Sequence, residues 1–395
     1  MPHPAQSIEP AGDPAWAQAA GVCRDPALRE AVWRHCRYRR GSARLEDLST
    51  RIHANDQMLR HSLRFFDANR SVSQYFNVAL QQHHAAQQVL RALFGEPGPD
   101  LRVLDFACGY GRLLRFLTLS VSPAQVWASE IQPEALDFAA REFGVHAVAS
   151  DFDPRRFEPG RRFDLIWVAS LFSHLPGGLF HEWLRRLVEL LEPRGVLCFS
   201  VHDECLLPRG IPMPREGIFF SPESENPDLG ASVYGATFVT EAYVRSAILE
   251  ATAEEHPWRR IPRGLANEQD LYVVARSPGR DLSALSGFRK GPWGWVDEWS
   301  VSGSGELYLR GWAGSLDEGH LDEVEIRVDG EPVRCPTGLP TPDVAAVLGD
   351  ARLARAGWEY RRVLAGGRAF VEASARSRTG EAALLYAGPV TGPGP

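Results

Sequence analysis

The sequence predicts an α/β protein, with a mostly parallel sheet carrying helices on both faces, a helical region before it and a β-rich domain after it. Three observations carry this reading. Between residues 101 and 276, short apolar runs alternate with helical stretches, as strand–helix–strand units require. Between residues 26 and 94, good helix formers follow one another with few breakers. From Trp293 onward, alternating apolar and polar residues are separated by Gly and Asp turns. A chain of 395 residues is long enough for two or three domains.

Taken in order, residues 1 to about 20 are rich in Pro, Ala and Gly and are expected to form a loose tail. Several helices follow, with Ala31, Val32 and Trp33, then Leu45, Leu48 and Ile52, at helical spacing. Gly95-Glu96-Pro97-Gly98-Pro99-Asp100 breaks the pattern. Strands are read at 101–105, 125–130, 145–149, 163–168, 195–201 and 271–275. Helices are read at 112–119, at 133–143 with Pro133 in its first turn, at 178–191, and at 240–249 with Thr240 as N-cap. The stretch 203–238 is a long loop rich in Pro and Gly, and loops of that length are usually functional or disordered. Ser277-Pro278-Gly279 closes this region. Beyond it, 301–311 and 324–328 read as strands, Asp329-Gly330 as a hairpin turn and 343–348 as a short helix. The expected division is a tail and helical lid at 1–95, a sheet domain at 96–278, a linker at 279–292 and a β-rich accessory domain at 293–395.

Composition excludes several classes. With 43 basic and 50 acidic side chains the formal charge is −7, which argues against a nucleic-acid binder working through a broad basic surface. Six cysteines without a CxxC pair signal neither a zinc ribbon nor a disulfide framework. No stretch approaches the roughly 20 apolar residues of a membrane span, and the start shows no signal peptide. The expectation is a soluble cytoplasmic protein with no nucleic-acid partner and no bound metal, and a homo-oligomer is compatible with it. His83 and His84 face different directions on one helix, so they are not read as a metal pair. Residues 34–44, rich in Arg, are read as a solvated helical face, with contact to an anionic substrate as the alternative. Trp293, Trp295, Trp299 and Trp312 are read as core of the β-rich domain, with sugar stacking on one of them as the alternative.

The most informative segment is Val103-Leu104-Asp105-Phe106-Ala107-Cys108-Gly109-Tyr110-Gly111-Arg112. A strand ends at Asp105, a loop of small residues follows, and a helix opens. Small residues let a ligand approach the backbone, and the helix start presents N–H groups. The second strand ends at Glu130, where an acid can bond both hydroxyls of a ribose. The third runs into Asp151 and Phe152, an acid and an aromatic beside a purine. Three strand ends thus point to one nucleoside site. A nicotinamide dinucleotide is disfavoured, because bulky Arg112 and Leu113 stand where its GxGxxG fingerprint is completed.

On these residues the chain resembles the class I S-adenosylmethionine-dependent methyltransferases. Ala107 stands in place of the first glycine of their D/E-x-G-x-G-x-G loop. The resemblance covers residues 101–276 and implies a Rossmann-like seven-stranded sheet with S-adenosylmethionine as cofactor. It places Asp105, Ala107, Cys108, Gly109, Gly111, Arg112, Glu130, Ile131, Asp151, Phe152, Ala169 and Ser170 around the cofactor. Ser170-Leu171-Phe172-Ser173-His174-Leu175, Leu190-Leu191-Glu192-Pro193 and the later Tyr234-Gly235-Ala236-Thr237-Phe238 are similar to segments of small-molecule and glycan methyltransferases. Arg310-Gly311-Trp312-Ala313 and Val328-Asp329-Gly330 resemble an accessory β-sandwich of glycan-modifying enzymes.

Methyl transfer from a sulfonium needs alignment, exclusion of water and, for a hydroxyl nucleophile, a base. Histidine suits that role because its pKa lies near the working pH. His174, after the fourth strand, is the first candidate. His202 and Asp203, at the end of the fifth, are second candidates as base or as substrate ligands. Tyr234 is expected to cover the substrate. The expected function is O-methylation of a sugar, glycan or glycosylated small molecule. The alternatives are a methyltransferase acting on another natural product or a protein side chain, and a non-catalytic binding or assembly protein on the same fold.

Overall fold

The computed structural model describes residues 13–223, 229–252 and 255–392. Residues 1–12 of the expected tail lie outside these. The rest of that tail is helix, a correction to the sequence reading. Asp13 caps α1 (Pro14–Arg24) by accepting from the N–H groups of Ala15 and Trp16, and Ala19, Val22 and Cys23 bury one face. Asp25 caps α2 (Pro26–His35) in the same way. After α3 (Gln57–Leu63) comes α4 (Ala68–Phe94), whose 27 residues span about 40 Å. Its first half packs with α1 under the C-terminal domain, and its second half packs on the sheet domain.

The sheet domain begins with β1 (Val103–Phe106), followed by α5 (Leu114–Ser120), β2 (Val126–Glu130), α6 (Pro133–Phe143) and β3 (His146–Ala149). It continues through β4 (Phe163–Val168), α7 (Gly177–Glu189), β5 (Leu191–Asp203), β6 (Ile218–Ser221), β7 (Ala236–Val239), α8 (Glu241–Thr252), β8 (Trp258–Leu265) and β9 (Gln269–Ala275). The expected seven-stranded sheet is present in the order β3-β2-β1-β4-β5-β9-β8, with β1–β5 parallel and β9 antiparallel to β5. Both faces of the central strands are buried, so those strands read as continuous apolar runs. Strand order reverses between β1 and β4, the switch point at which such sheets bind ligands.

Two strand groups depart from the sequence reading. β8 was not foreseen, because Arg259, Arg260, Pro262 and Arg263 mask its alternation, as suits an edge strand. The long loop contains the β6–β7 hairpin, and β7 extends β5 by pairing beside His202 and Asp203. Thr240 Oγ1 accepts from the Tyr243 N–H at the start of α8, as an N-cap should.

The C-terminal domain comprises β10 (Pro292–Val301), β11 (Glu306–Ser315), β12 (Gly319–His320), β13 (Glu323–Val328), β14 (Glu331–Pro336), α9 (Pro342–Leu348), β15 (Gly357–Val363), β16 (Arg368–Arg376) and β17 (Ala382–Thr391). They form two antiparallel sheets, one of β10, β11, β12 and β15 and one of β14, β13, β16 and β17. Leu307, Leu309 and Trp358 of the first meet Ile326, Val371 and Tyr386 of the second, making a β-sandwich.

This domain is docked on the N-terminal helices. Asn69 Nδ2 donates to Tyr386 Oη at 2.9 Å and to the Pro389 carbonyl at 2.7 Å. His35 Nε2 lies 3.0 Å from Glu372, to which Arg34 also donates. The arginines of 34–44 therefore do not form one helical face, although Arg34, Arg37, Arg39 and Arg44 remain exposed. The helix stops at His35, Arg37 pairs with Glu381, and Arg40 donates to the Thr118 carbonyl at 2.9 Å. No helix among the described residues is long and apolar enough to cross a membrane.

Candidate active site

The site grows from the loop after β1. Ala107, Gly109 and Gly111 all take positive φ, at 56°, 54° and 76°. Ala107 carries the strain that a glycine would avoid. A Cβ on Gly109 would meet nothing within 4 Å, so this residue borders open space. A Cβ on Gly111 would lie 2.3 Å from the Phe143 ring. Gly111 therefore lets α6 pack against the loop.

Glu130, at the end of β2, ties the loop down. Its carboxylate accepts from the N–H groups of Gly109 at 2.9 Å, Ile131 at 2.8 Å and Gln132 at 3.1 Å. Burial nevertheless raises its pKa. Asp105 lies close by and is fully buried. Desolvation, reinforced by the charge of Glu130 and opposed by Arg112, pushes its pKa up to about 8. Its Oδ2 has no hydrogen-bond partner. Burial likewise pushes the Cys108 thiol well above its usual range, which leaves it unreactive.

These groups open into a cavity of about 540 Å³. Asp105, Ala107, Cys108, Gly109 and Arg112 line it from the β1 loop, and Glu130 and Ile131 from the end of β2. Asp151 and Phe152 stand at the end of β3, with Phe152 51% exposed. Ala169, Ser170 and His174 follow β4, His202 ends β5, and Tyr234 closes over the site from the loop before β7.

The histidines differ. His174 Nδ1 lies 2.5 Å from the Gly235 carbonyl. A carbonyl only accepts, so Nδ1 carries the proton and Nε2 is the basic nitrogen of the neutral ring. The Tyr234 ring stacks on this imidazole at 4.5 Å between centroids. His202 lies edge-on to His174, with centroids 6.0 Å apart. Burial, with the nearby His174, lowers its pKa to about 4. Ser170 N–H donates to Ser200 Oγ at 2.8 Å, and both serine hydroxyls donate to Gln269 Oε1, at 3.2 and 2.6 Å. That turns the Gln269 amide so that its Nε2 faces His202 Nε2 at 3.3 Å.

Asp203 does not join the cavity. It accepts from Arg260 at 2.7 Å, in a cluster that Arg260 also makes with Asp270 at 2.6 Å and Glu241 at 2.5 Å. Successive residues of a strand face opposite ways, so His202 turned inward sends Asp203 outward. His83 is buried against Ser120 at 3.0 Å, and no group of three or more metal-binding side chains occurs among the described residues.

The sequence reading did not single out several lining groups. Asp56, Gln57 and Ser62 come from α3 and its cap, Gln74, Tyr75 and Gln82 from α4, and Glu268 from the β8–β9 turn. Trp293 and Trp295, expected in the β-rich domain, reach the cavity from β10. No local motif announces them, because each lies far in sequence from the loop it faces.

The site fits a cationic nucleoside ligand. A buried carboxyl lacks a partner, Gly109 leaves room, and Glu130 has acceptor capacity beyond its three bonds. The chain is similar to known proteins. Among solved structures it is similar to a Burkholderia thailandensis 1,6-didemethyltoxoflavin-N1-methyltransferase with S-adenosylhomocysteine bound, at 21% identity, over 50% of this chain and 78% of that one, with a TM-score of 0.35. It is also similar to an amino pentose methyltransferase from Micromonospora echinaspora with S-adenosylmethionine bound, at 20% identity over 50% and 92% of the two chains, with a TM-score of 0.37. No curated protein matches the chain in sequence. Residues 103–195 match the family described as "Methyltransferase domain". The match begins with β1 and reaches into β5, so it takes in the loop, Asp105, Glu130 and His174. The chain carries a class I S-adenosylmethionine-dependent methyltransferase domain, and S-adenosylmethionine is the cofactor of that domain.

Proposed function

We propose that the chain methylates a hydroxyl of a sugar or glycan-like acceptor, with His174 as general base. The observation that carries this reading is the setting of the His174 ring. The Gly235 carbonyl holds Nδ1–H, so the basic lone pair of the neutral ring is on Nε2, and the residue lines the cavity. The same carbonyl and the stacked Tyr234 face favour the imidazolium once a proton has been taken. His202 is the weaker base, since burial keeps it neutral across the physiological range and Gln269 donates toward its Nε2. It serves better as a fixed neighbour of the acceptor.

Bound S-adenosylmethionine supplies a methyl group on a positively charged sulfur. Asp105 would face the cationic amino-acid end, Glu130 the ribose hydroxyls, and Asp151 with Phe152 the adenine at the rim. With acceptor and cofactor bound, the cap around Tyr234 and the helices before residue 95 would help exclude water from the cavity. On the acceptor side, Gln57, Ser62, Gln74, Gln82 and Glu268 offer amide, hydroxyl and carboxylate groups. Such a lining matches an acceptor bearing several hydroxyls.

The test is incubation with S-adenosylmethionine and a panel of hexosides and glycosylated small molecules, read by product mass. A gain of one methylene on a sugar oxygen is expected, and His174→Ala should lose it. Methylation confined to a nitrogen, or to acceptors without a sugar, would replace this reading.

A further inference from the structure

We infer that the C-terminal β-sandwich is part of the acceptor site, and that the Trp295 ring is the surface on which one face of the acceptor's sugar ring stacks. This rests on the sugar-acceptor reading and adds to it a residue from outside the methyltransferase domain.

Trp293 and Trp295 stand two apart on β10 and so share a face of that strand. Both line the cavity that holds His174 and His202. Their rings meet edge to face, with centroids 4.9 Å apart. Trp293 is 6% exposed and anchors the pair in a small core with Trp312, Val344 and Leu353. Trp295 is only partly buried at the edge of that core. One tryptophan is thus scaffold and the other is surface.

The placement is held from three sides. Asn77 Nδ2 of α4 donates to the Gly294 carbonyl, between the two tryptophans, at 3.2 Å. A Cβ at Gly294 would come within 2.1 Å of the Trp312 carbonyl oxygen, so β10 and β11 approach here as only glycine allows. The register of β10 shifts between Val296 and Glu298, and Arg70 of α4 donates to the carbonyl of the intervening Asp297. Bulges next to a site re-aim the side chains beside them. One turn further along α4, Gln81 accepts from the Ala266 N–H at 2.6 Å and donates to the Gly264 carbonyl at 3.3 Å. A single helix therefore sets the tryptophan wall and the turn that carries Gln269 in a fixed relation.

The chemistry names the ligand class. One face of a pyranose presents polarised C–H bonds, and the face of an indole is negative. The same ring's hydroxyls require donors and acceptors at its edge, which Gln82, Glu268 and Gln269 provide from the same cavity. An apolar face with polar edges is what separates a sugar from a flat aromatic acceptor.

The experiment uses the full chain saturated with S-adenosylhomocysteine. Saturation-transfer NMR is recorded with methyl α-glucopyranoside, methyl α-mannopyranoside and methyl α-rhamnopyranoside, on wild type, Trp295→Ala and Trp295→Phe. Calorimetry with S-adenosylhomocysteine runs in parallel as the check on folding and on the cofactor end. The expected result is transfer to ring C–H protons of at least one hexoside in wild type. Apparent affinity should fall roughly fivefold or more in Trp295→Ala and largely recover in Trp295→Phe. Cofactor-product affinity should be equal in all three. Hexoside binding that survives Trp295→Ala overturns the stacking role and leaves the sugar reading standing. No hexoside binding to wild type overturns both.

Discussion

At pH 6.0 Asp105 is a carboxylic acid, and with a cation beside it the same group becomes a carboxylate. Its pKa of about 8 reflects burial and the neighbouring charge of Glu130. A ligand that brings positive charge to its unpartnered oxygen lowers that value, so binding releases a proton. The sign follows directly: affinity rises with pH up to about 8 and then levels. At pH 7, one unit below, protonation of the free site weakens binding by about 1.4 kcal/mol, or roughly tenfold. Between pH 6.0 and 7.5 the affinity for S-adenosylmethionine should rise by about twentyfold on the same basis. Calorimetric titration across that range measures it, and repeating the titration at pH 7 in buffers of different ionisation enthalpy counts the proton. Asp105→Asn should bind more weakly and lose the slope. A flat profile in wild type, or an unchanged slope in Asp105→Asn, would refute the reasoning.

Other outcomes follow from the same geometry. Glu130→Ala leaves three backbone N–H groups without their acceptor, and the dissociation constant for S-adenosylmethionine should rise at least about tenfold; unchanged affinity in folded protein would remove Glu130 from the site. His174→Ala should lower turnover by roughly 10²–10⁴-fold at nearly constant cofactor affinity, and a fully active variant would exclude it as the base. Gly111→Ala forces a side chain into left-handed backbone and against Phe143, so thermal melting should show a loss of about 1–3 kcal/mol. Burial holds His83 near 3 and His84 near 4, against about 6.5 in an unfolded chain. Their stabilising contribution is complete above pH 6.5 and declines as pH falls. His83 alone should account for roughly 2 kcal/mol at pH 5, so His83→Gln should narrow the gap between melting temperatures at pH 7 and pH 5.

The cofactor end was legible because it is local. One strand, one loop and one helix start lie within Val103 to Arg112, and Glu130 closes the next strand. Hydrophobic runs and punctuating Gly and Pro outlined the central strands for the same reason. The proposed acceptor end was not legible, because it is assembled from elements far apart in sequence. Gln82 sits mid-helix and looks like any polar residue there, while Gln269 gains its meaning only from Ser170, Ser200 and His202. The tryptophans of β10 look like ordinary sandwich core until α4 draws the strand against the cavity. Asp203, next to His202 on a strand, faces the other way and bonds Arg260. The arginines of 34–44 keep much of the exposure expected of them, but the helix stops at His35 and two of them also reach Glu372 and Glu381 of a docked domain, which no local pattern announces.

The most direct test of the central claim is calorimetric titration of the folded full-length chain with S-adenosylmethionine and S-adenosylhomocysteine, with NAD as control. The account predicts saturable one-site binding of the first two, lost in Glu130→Ala, and no binding of NAD. Binding of NAD, or no binding of either sulfur ligand, would contradict it.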